Sequence, residues 1–237
     1  RGESFTDFVI PGKSKRDDFP IIPSKCALLN IDIQSFLSEP SSDDEKQSYF
    51  YSEALPRAIE SIEQLVTTIR SLRDSDYQQG CEVIFTYLEA LTHDCRDISL
   101  DYKLSGPMLS SLPNAATSPA TFLSQLTPSL QGRGDIKIPK TSCSVFASTN
   151  IHYVLRNLGI EQLIITGQLT DQCVESAVRD AADLGFFVTV VDDACAAKSP
   201  ESHDKGLHGM KGFSRIVNTS TIMKELSHRF TLEDLRT

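Results

Sequence analysis

The sequence predicts an α/β domain with a mainly parallel sheet covered by helices on both faces, and three observations carry that prediction. Nearly continuous apolar runs at residues 26–31, 81–88, 163–165 and 187–191 lack polar alternation, which is how strands buried on both faces read. Between them lie stretches whose apolar residues recur at helical spacing. Strands that alternate with helices are joined by right-handed crossovers, and such crossovers make the strands parallel. The 237 residues suffice for one large core. We therefore expect an N-terminal arm over residues 1–24 and a single domain over 25–237.

Taken in order, the arm carries Pro11, Pro20 and Pro23 among charges and has too little periodic apolar content for an element of its own. The first strand, 26–31, ends on Asp32. Residues 38–48 are rich in Ser, Asp and Glu and contain Pro40, so they read as a solvated loop. Leu55, Ile59, Ile62, Leu65, Val66, Ile69 and Leu72 lie on one face of a helix over 53–73. Gly80 closes the connection to a second strand at 81–88. From 89 to 134 the pattern breaks at Pro107, Pro113, Pro119 and Pro128, with a short helix expected only near 120–126. A connection this long often shapes a binding site or an oligomer contact.

Residues 135–140 read as a short extended segment and 144–158 as one helix stopped by Gly159. The apolar run at 163–165 leads into a helix carrying Val174, Ala177, Val178, Ala181 and Ala182, with Gly185 as its stop signal. A strand at 187–192, a polar helix at 200–210, a last strand at 216–217 and a last helix at 221–230 complete the chain.

Composition excludes several classes. A net charge of -9 and a pI near 5.0, with no Lys/Arg stripe, argue against nucleic acid as a partner. The six cysteines, Cys26, Cys81, Cys95, Cys143, Cys173 and Cys195, show no paired spacing, so no disulfide framework is expected. No apolar stretch reaches the length of a membrane span, and residues 1–16 lack a signal-peptide core; a cytoplasmic protein without membrane contact is the expectation.

In open parallel sheets the functional crevice lies beyond the carboxyl ends of the strands. Asp32, Lys140 and Cys173 each follow a strand-like run at that end. A thiol beside the amino end of a helix is favoured in its ionised form. A carboxylate can take its proton, and an ammonium favours the thiolate. Singly, each has a plainer reading: a cap at Asp32, an exposed lysine at Lys140, a buried inert thiol at Cys173. Their joint placement makes them the candidate site.

Three segments carry a resemblance to a known family. They are Leu29, Asn30, Ile31, Asp32, Ile33, Gln34, Ser35 and Phe36; then Ile138, Pro139, Lys140, Thr141, Ser142, Cys143, Ser144, Val145 and Phe146; then residues 167–181, from Gly167 through Cys173 to Ala181. The chain resembles the isochorismatase-like cysteine hydrolases, nearest in look to ureidoacrylate and biuret amidohydrolases. The resemblance implies a three-layer α/β/α fold with a roughly six-stranded sheet in the order 3-2-1-4-5-6. It implies Asp32 as general base, Lys140 as the orienting cation and Cys173 as nucleophile, with oxyanion donors at the backbone N–H groups of Leu169 and Cys173 and a cis peptide at Gln168 and Leu169.

Substrate contacts are expected at Gln34, Phe36, Arg96 and Tyr102. The segment Leu88, Glu89, Ala90, Leu91, Thr92, His93 lacks the Asp-x-His metal motif of nicotinamidases, and His203 and His208 have no ligand signature around them, so neither metal nor cofactor is expected. Arg179 and Asp180 read as an ion pair holding loops, and Cys143 as packing. The activity implied is hydrolysis of a C–N bond in an amide or ureido group of a small molecule through a Cys thioester. One alternative is hydrolysis of the enol ether of isochorismate to pyruvate; another is a catalytically silent interaction protein on the same fold. The resemblance also implies a homodimer or homotetramer.

Overall fold

The computed structural model describes residues 4–75, 80–104, 112–129 and 134–236. Six strands, β1 (Cys26–Ile31), β2 (Glu82–Leu88), β3 (Ile136–Lys140), β4 (Gln162–Gln168), β5 (Phe187–Ala196) and β6 (Arg215–Val217), pair in the order β3-β2-β1-β4-β5-β6. Every pairing is parallel. All six residues of β1 and all seven of β4 are buried, as expected for central strands covered on both sides.

Side-chain alternation along the strands divides the core into two layers. Cys26 and Leu28 of β1 and Val83 and Phe85 of β2 face α3 (Leu55–Ser75) and α9 (Thr219–His228). Ala27, Leu29 and Ile31 face the opposite layer, formed by α5 (Val145–Ser148), α6 (Ile151–Asn157), α7 (Glu175–Asp183) and α8 (Pro200–Met210). The sheet is thus sandwiched between helices in the predicted order.

Local structure departs from the sequence reading at four places. Where a loop was expected over 38–48, α2 (Asp43–Lys46) forms, and α1 (Ser35–Ser38) ends as that segment begins. Ser42 caps α2 by accepting from the Glu45 amide at 3.2 Å, and Asp43, Asp44 and Glu45 suit the positive end of that turn, so capping rather than apolar periodicity makes it. Within the 89–134 connection, α4 (Leu100–Leu104) was not expected, and the helix near 120–126 is only a 3-10 turn, Ser124–Leu126. Parts of that connection, 105–111 with Pro107 and 130–133, lie outside the described residues.

The helix expected over 144–158 is split. The Thr149 hydroxyl donates to the Val145 carbonyl at 2.7 Å and accepts from the Ile151 amide at 3.1 Å, replacing two backbone partners and ending α5. Finally, residues 4–25 contain 3-10 turns and bury Phe5, Phe19 and Ile22 against Phe187 at the start of β5. The Phe5 and Phe19 rings each lie within 6 Å of the Phe187 ring, at 5.1 and 5.8 Å. Among the described residues no helix is long and apolar enough to cross a membrane.

One glycine is required for β1 and β4 to meet. Gly167 pairs with Ile31, has φ +122°, and a Cβ there would lie 2.7 Å from the Ile31 nitrogen and closer still to its carbonyl oxygen. Gly167→Ala should therefore cost more than about 1 kcal/mol of stability, with both the positive φ and the backbone overlap opposing it. Urea unfolding checks this; a midpoint equal to that of the unsubstituted chain would show that the strands can part without penalty.

Candidate active site

The strand order reverses between β1 and β4, and the crevice of an open parallel sheet opens at such a point. Asp32 follows β1 directly, Lys140 ends β3, and Cys173 lies in the π-helical turn Thr170–Val174 between β4 and α7. The structure brings the three side chains together although they come from separate strands. Lys140 Nζ stands 2.8 Å from Asp32 Oδ2 and 3.5 Å from Cys173 Sγ. Asp32 and Lys140 are 0% and 1% exposed, and Cys173 7%.

Each group is held by its own partners. Asp32 has φ 56°, a left-handed conformation that Asp tolerates better than most residues. Its amide donates to the Thr86 carbonyl at 3.1 Å, and the Thr86 hydroxyl donates to Asp32 Oδ1 at 2.9 Å. Lys140 donates to the carbonyls of Ser142 and Cys143 at 2.8 and 3.0 Å, so its ammonium is fixed by the loop that follows its own strand. Gln168 Nε2 donates to the Asp32 carbonyl at 2.7 Å and to Ser38 Oγ at 2.9 Å. The Gln168–Leu169 peptide is cis. The Leu169 carbonyl accepts from the amides of Gln172 and Val174 at 3.0 and 3.2 Å, and this widened turn carries Cys173 to the crevice.

Burial, the largest single influence, acts to lower the Lys140 pKa, but the Asp32 carboxylate beside it together with the two nearby thiols gives a net upward direction, so the group stays an ammonium. Cys173 differs from the sequence expectation. A hydrogen bond with Cys143, burial and the Asp32 charge together raise its pKa well above the usual thiol value against the lowering effect of Lys140, so the resting group is a thiol. The direction is opposite to the expected anion because the Cys143 hydrogen bond, burial and the Asp32 charge together exceed the lowering effect of Lys140. Cys143 shifts the other way, to about 6, chiefly because the Cys173 thiol hydrogen-bonds to it. Tyr102, whose hydroxyl is 3.5 Å from Cys173 Sγ, is raised by burial and remains a phenol.

A cavity of about 550 Å³ opens over Cys173, with Phe36, Leu37, Tyr102, Leu169 and Gln172 in its walls. Phe36 and Tyr102 thus stand where substrate contacts were expected. Gln34 and Arg96 do not. The Gln34 amide is fully buried and spans the Leu88 backbone, donating to its carbonyl at 3.0 Å and accepting from its amide at 2.6 Å, so it braces β1 against β2. The Arg96 side chain is 73% exposed, pairs with Asp94 at 3.1 Å and lies outside the cavity. At the cavity mouth stand Glu39, Glu45 and Lys198.

Two further expectations are corrected. Arg179 pairs with Glu175 at 2.8 Å rather than with Asp180, whose carboxylate accepts from Ser144 Oγ at 2.5 Å. Cys143 is not packing alone, since its sulfur lies 3.8 Å from that of Cys173. Sequence reasoning did not single out Thr86, and it gave Cys143 no role; the position of Cys143 three residues after Lys140 was the available signal. His203 accepts or donates at Thr170 Oγ1 through Nδ1 at 2.9 Å and is thereby tied to the Cys173 turn. Among the described residues no three His, Cys, Asp or Glu side chains gather closely enough to hold a metal ion.

A family model described as Isochorismatase domain matches residues 26–221. The chain is 27% identical over 238 residues to a ureidoacrylate amidohydrolase of Caulobacter segnis, a match covering 89% of each chain. It is 42% identical over 89 residues to a probable inactive nicotinamidase of Arabidopsis thaliana, a match that covers 37% of this chain and spans only 44% of that relative. The crystal structure of a cysteine hydrolase from Pseudomonas syringae pv. phaseolicola superimposes with a TM-score of 0.73 at 20% identity, covering 90% of this chain and 97% of that one.

Proposed function

Because the chain belongs to the isochorismatase family, we propose that this hydrolase cleaves a C–N bond, in an amide or ureido group of a small molecule, through a thioester on Cys173. One observation carries the reading: beside a cavity lined by Asp32 and Cys173, a buried ammonium touches both the carboxylate and the thiol, Lys140 to Asp32 at 2.8 Å and Lys140 to Cys173 at 3.5 Å. The likeness to a ureidoacrylate amidohydrolase over most of both chains supports the bond class.

In this reading Cys173 begins as a thiol, in keeping with its raised pKa. Asp32 takes the proton as Sγ attacks the substrate carbonyl carbon, and Lys140 stabilises the sulfur as it becomes nucleophilic. The carbonyl oxygen gains negative charge and is met by the backbone N–H groups of Leu169 and Cys173. The C–N bond breaks when protonated Asp32 returns its proton to the nitrogen, releasing ammonia or an amine. Water then attacks the thioester with Asp32 again as base, and the acid leaves with the thiol restored. Phe36 and Tyr102 flank the substrate. A homodimer or homotetramer acting on a small molecule completes the proposal.

Trapping tests it. Incubation with a panel of amides, ureides and nicotinamide, followed by acid quench and intact mass, should give an acyl adduct mapped to Cys173 with any compound that releases ammonia. Turnover without a Cys173 adduct, under conditions where deacylation has been slowed, would remove the thioester from the reaction.

A further inference from the structure

We infer that Cys143 is a resolving thiol for Cys173, so that peroxide converts the pair to a disulfide and takes the cavity sulfur out of use reversibly. The two sulfurs are 3.8 Å apart and neither is bonded to another sulfur. Bond formation needs a separation of about 2.05 Å, a combined movement of about 1.8 Å that side-chain rotation can contribute to. Cys143 lies in the loop between β3 and α5 rather than in a strand, and is only partly buried. It also meets the Ser176 hydroxyl at 3.5 Å, in the first turn of α7 directly after the turn that carries Cys173. Cys173 lines the cavity, through which a molecule the size of hydrogen peroxide can reach it.

The chemistry balances with one peroxide. A thiolate sulfur of the pair gives two electrons to the peroxide O–O bond, becoming a sulfenic acid while the second oxygen leaves as water with a proton. The other sulfur then attacks the sulfenyl sulfur, the S–O bond breaks, and hydroxide leaves as a second water. Two thiols have together lost two electrons and two protons. The lowered pKa of Cys143 supplies a thiolate within the pair at neutral pH. Whichever sulfur is oxidised first, the product is the same.

Three features separate this pair from the other thiols. Cys195 is fully buried, and Cys95 has the Asn114 amide rather than a thiol at 3.9 Å. Cys26 interacts with Cys81, but those two are 0% and 1% exposed between β1 and β2 and do not line the cavity. Peptide mapping is therefore needed beside intact mass.

The test uses the full chain, treated with a small excess of hydrogen peroxide, alkylated, and mapped without reduction. The expected result is one peptide pair joining Cys143 to Cys173, lighter by two hydrogens than its parts and separated again by dithiothreitol. In Cys143→Ser, and equally in Cys143→Ala should serine disturb the loop, Cys173 should instead gain two oxygens as a sulfinic acid that dithiothreitol does not reverse. The inference is overturned if Cys173 of the unsubstituted chain reaches the sulfinic acid while Cys143 stays free to alkylate, or if the variants and the unsubstituted chain oxidise alike. This readout needs no turnover, so failure of the proposed hydrolysis and failure of this pairing are distinguished.

Discussion

Lys140→Met is expected to lower amide turnover by about 10²–10⁴-fold, the range over which positioned proton-transfer machinery acts, and to cost about 3–5 kcal/mol of stability, the penalty for leaving one member of a buried ion pair alone. The ammonium is 1% exposed and lies 2.8 Å from a carboxylate that is 0% exposed, so solvent cannot replace it when it is removed. The pair divides into two effects that a second substitution separates. Asp32→Asn combined with Lys140→Met removes the uncompensated charge, so the double variant should recover most of the lost stability while staying inactive. Urea unfolding and ammonia release, measured on both variants, check this. A double variant as unstable as Lys140→Met would mean that the cost comes from lost packing of the lysine stem, and that the buried charge pair is not what holds β1 to β3.

The difference between what could and could not be read from the residues follows from the range of the forces involved. Strands β1 and β4 were legible because a strand buried on both faces is apolar over most of its length, and Cys26, Ala27, Leu28 and Leu29 in β1 and Leu163, Ile164 and Ile165 in β4 state that directly. Lys140, Asp32 and Cys173 were legible because each stands at the end of such a run, and a parallel sheet gathers those ends on one edge. What depends on a single hydrogen bond was not legible. The break between α5 and α6 rests on the Thr149 hydroxyl, and α2 on the Ser42 cap, neither of which alters apolar periodicity. Gln34 and Arg96 failed for a related reason: a motif gives a position on an element but not the direction of a side chain, and Gln34 turns to the Leu88 backbone while Arg96 turns to Asp94. The protonation of Cys173 was read otherwise from the sequence because helix position and one ammonium were counted, whereas a second thiol at Cys143, burial and the Asp32 charge act against them.

Cys173→Ala is expected to lower amide turnover on the order of 10⁶-fold, the scale on which loss of a nucleophile acts when the rest of the site remains, and to change stability by about 1 kcal/mol, since only one small buried atom is lost. The contrast between those magnitudes matters, because a fold-level explanation of the lost turnover is then excluded by the same sample. Cys143 should not rescue the variant: its sulfur is displaced 3.8 Å from that of Cys173 and does not line the cavity. The same substitution separates the two hydrolytic chemistries. Cleavage of an enol ether is driven by protonation of the substrate and has no use for a sulfur nucleophile, so pyruvate formation from isochorismate would continue in Cys173→Ala, whereas an amide or ureido substrate would be left intact. Ammonia and pyruvate assays on the one variant therefore decide between them. Ammonia release at the unsubstituted rate would sink the thioester route, because the C–N bond would then be broken without the sulfur, by another nucleophile such as water activated by Asp32.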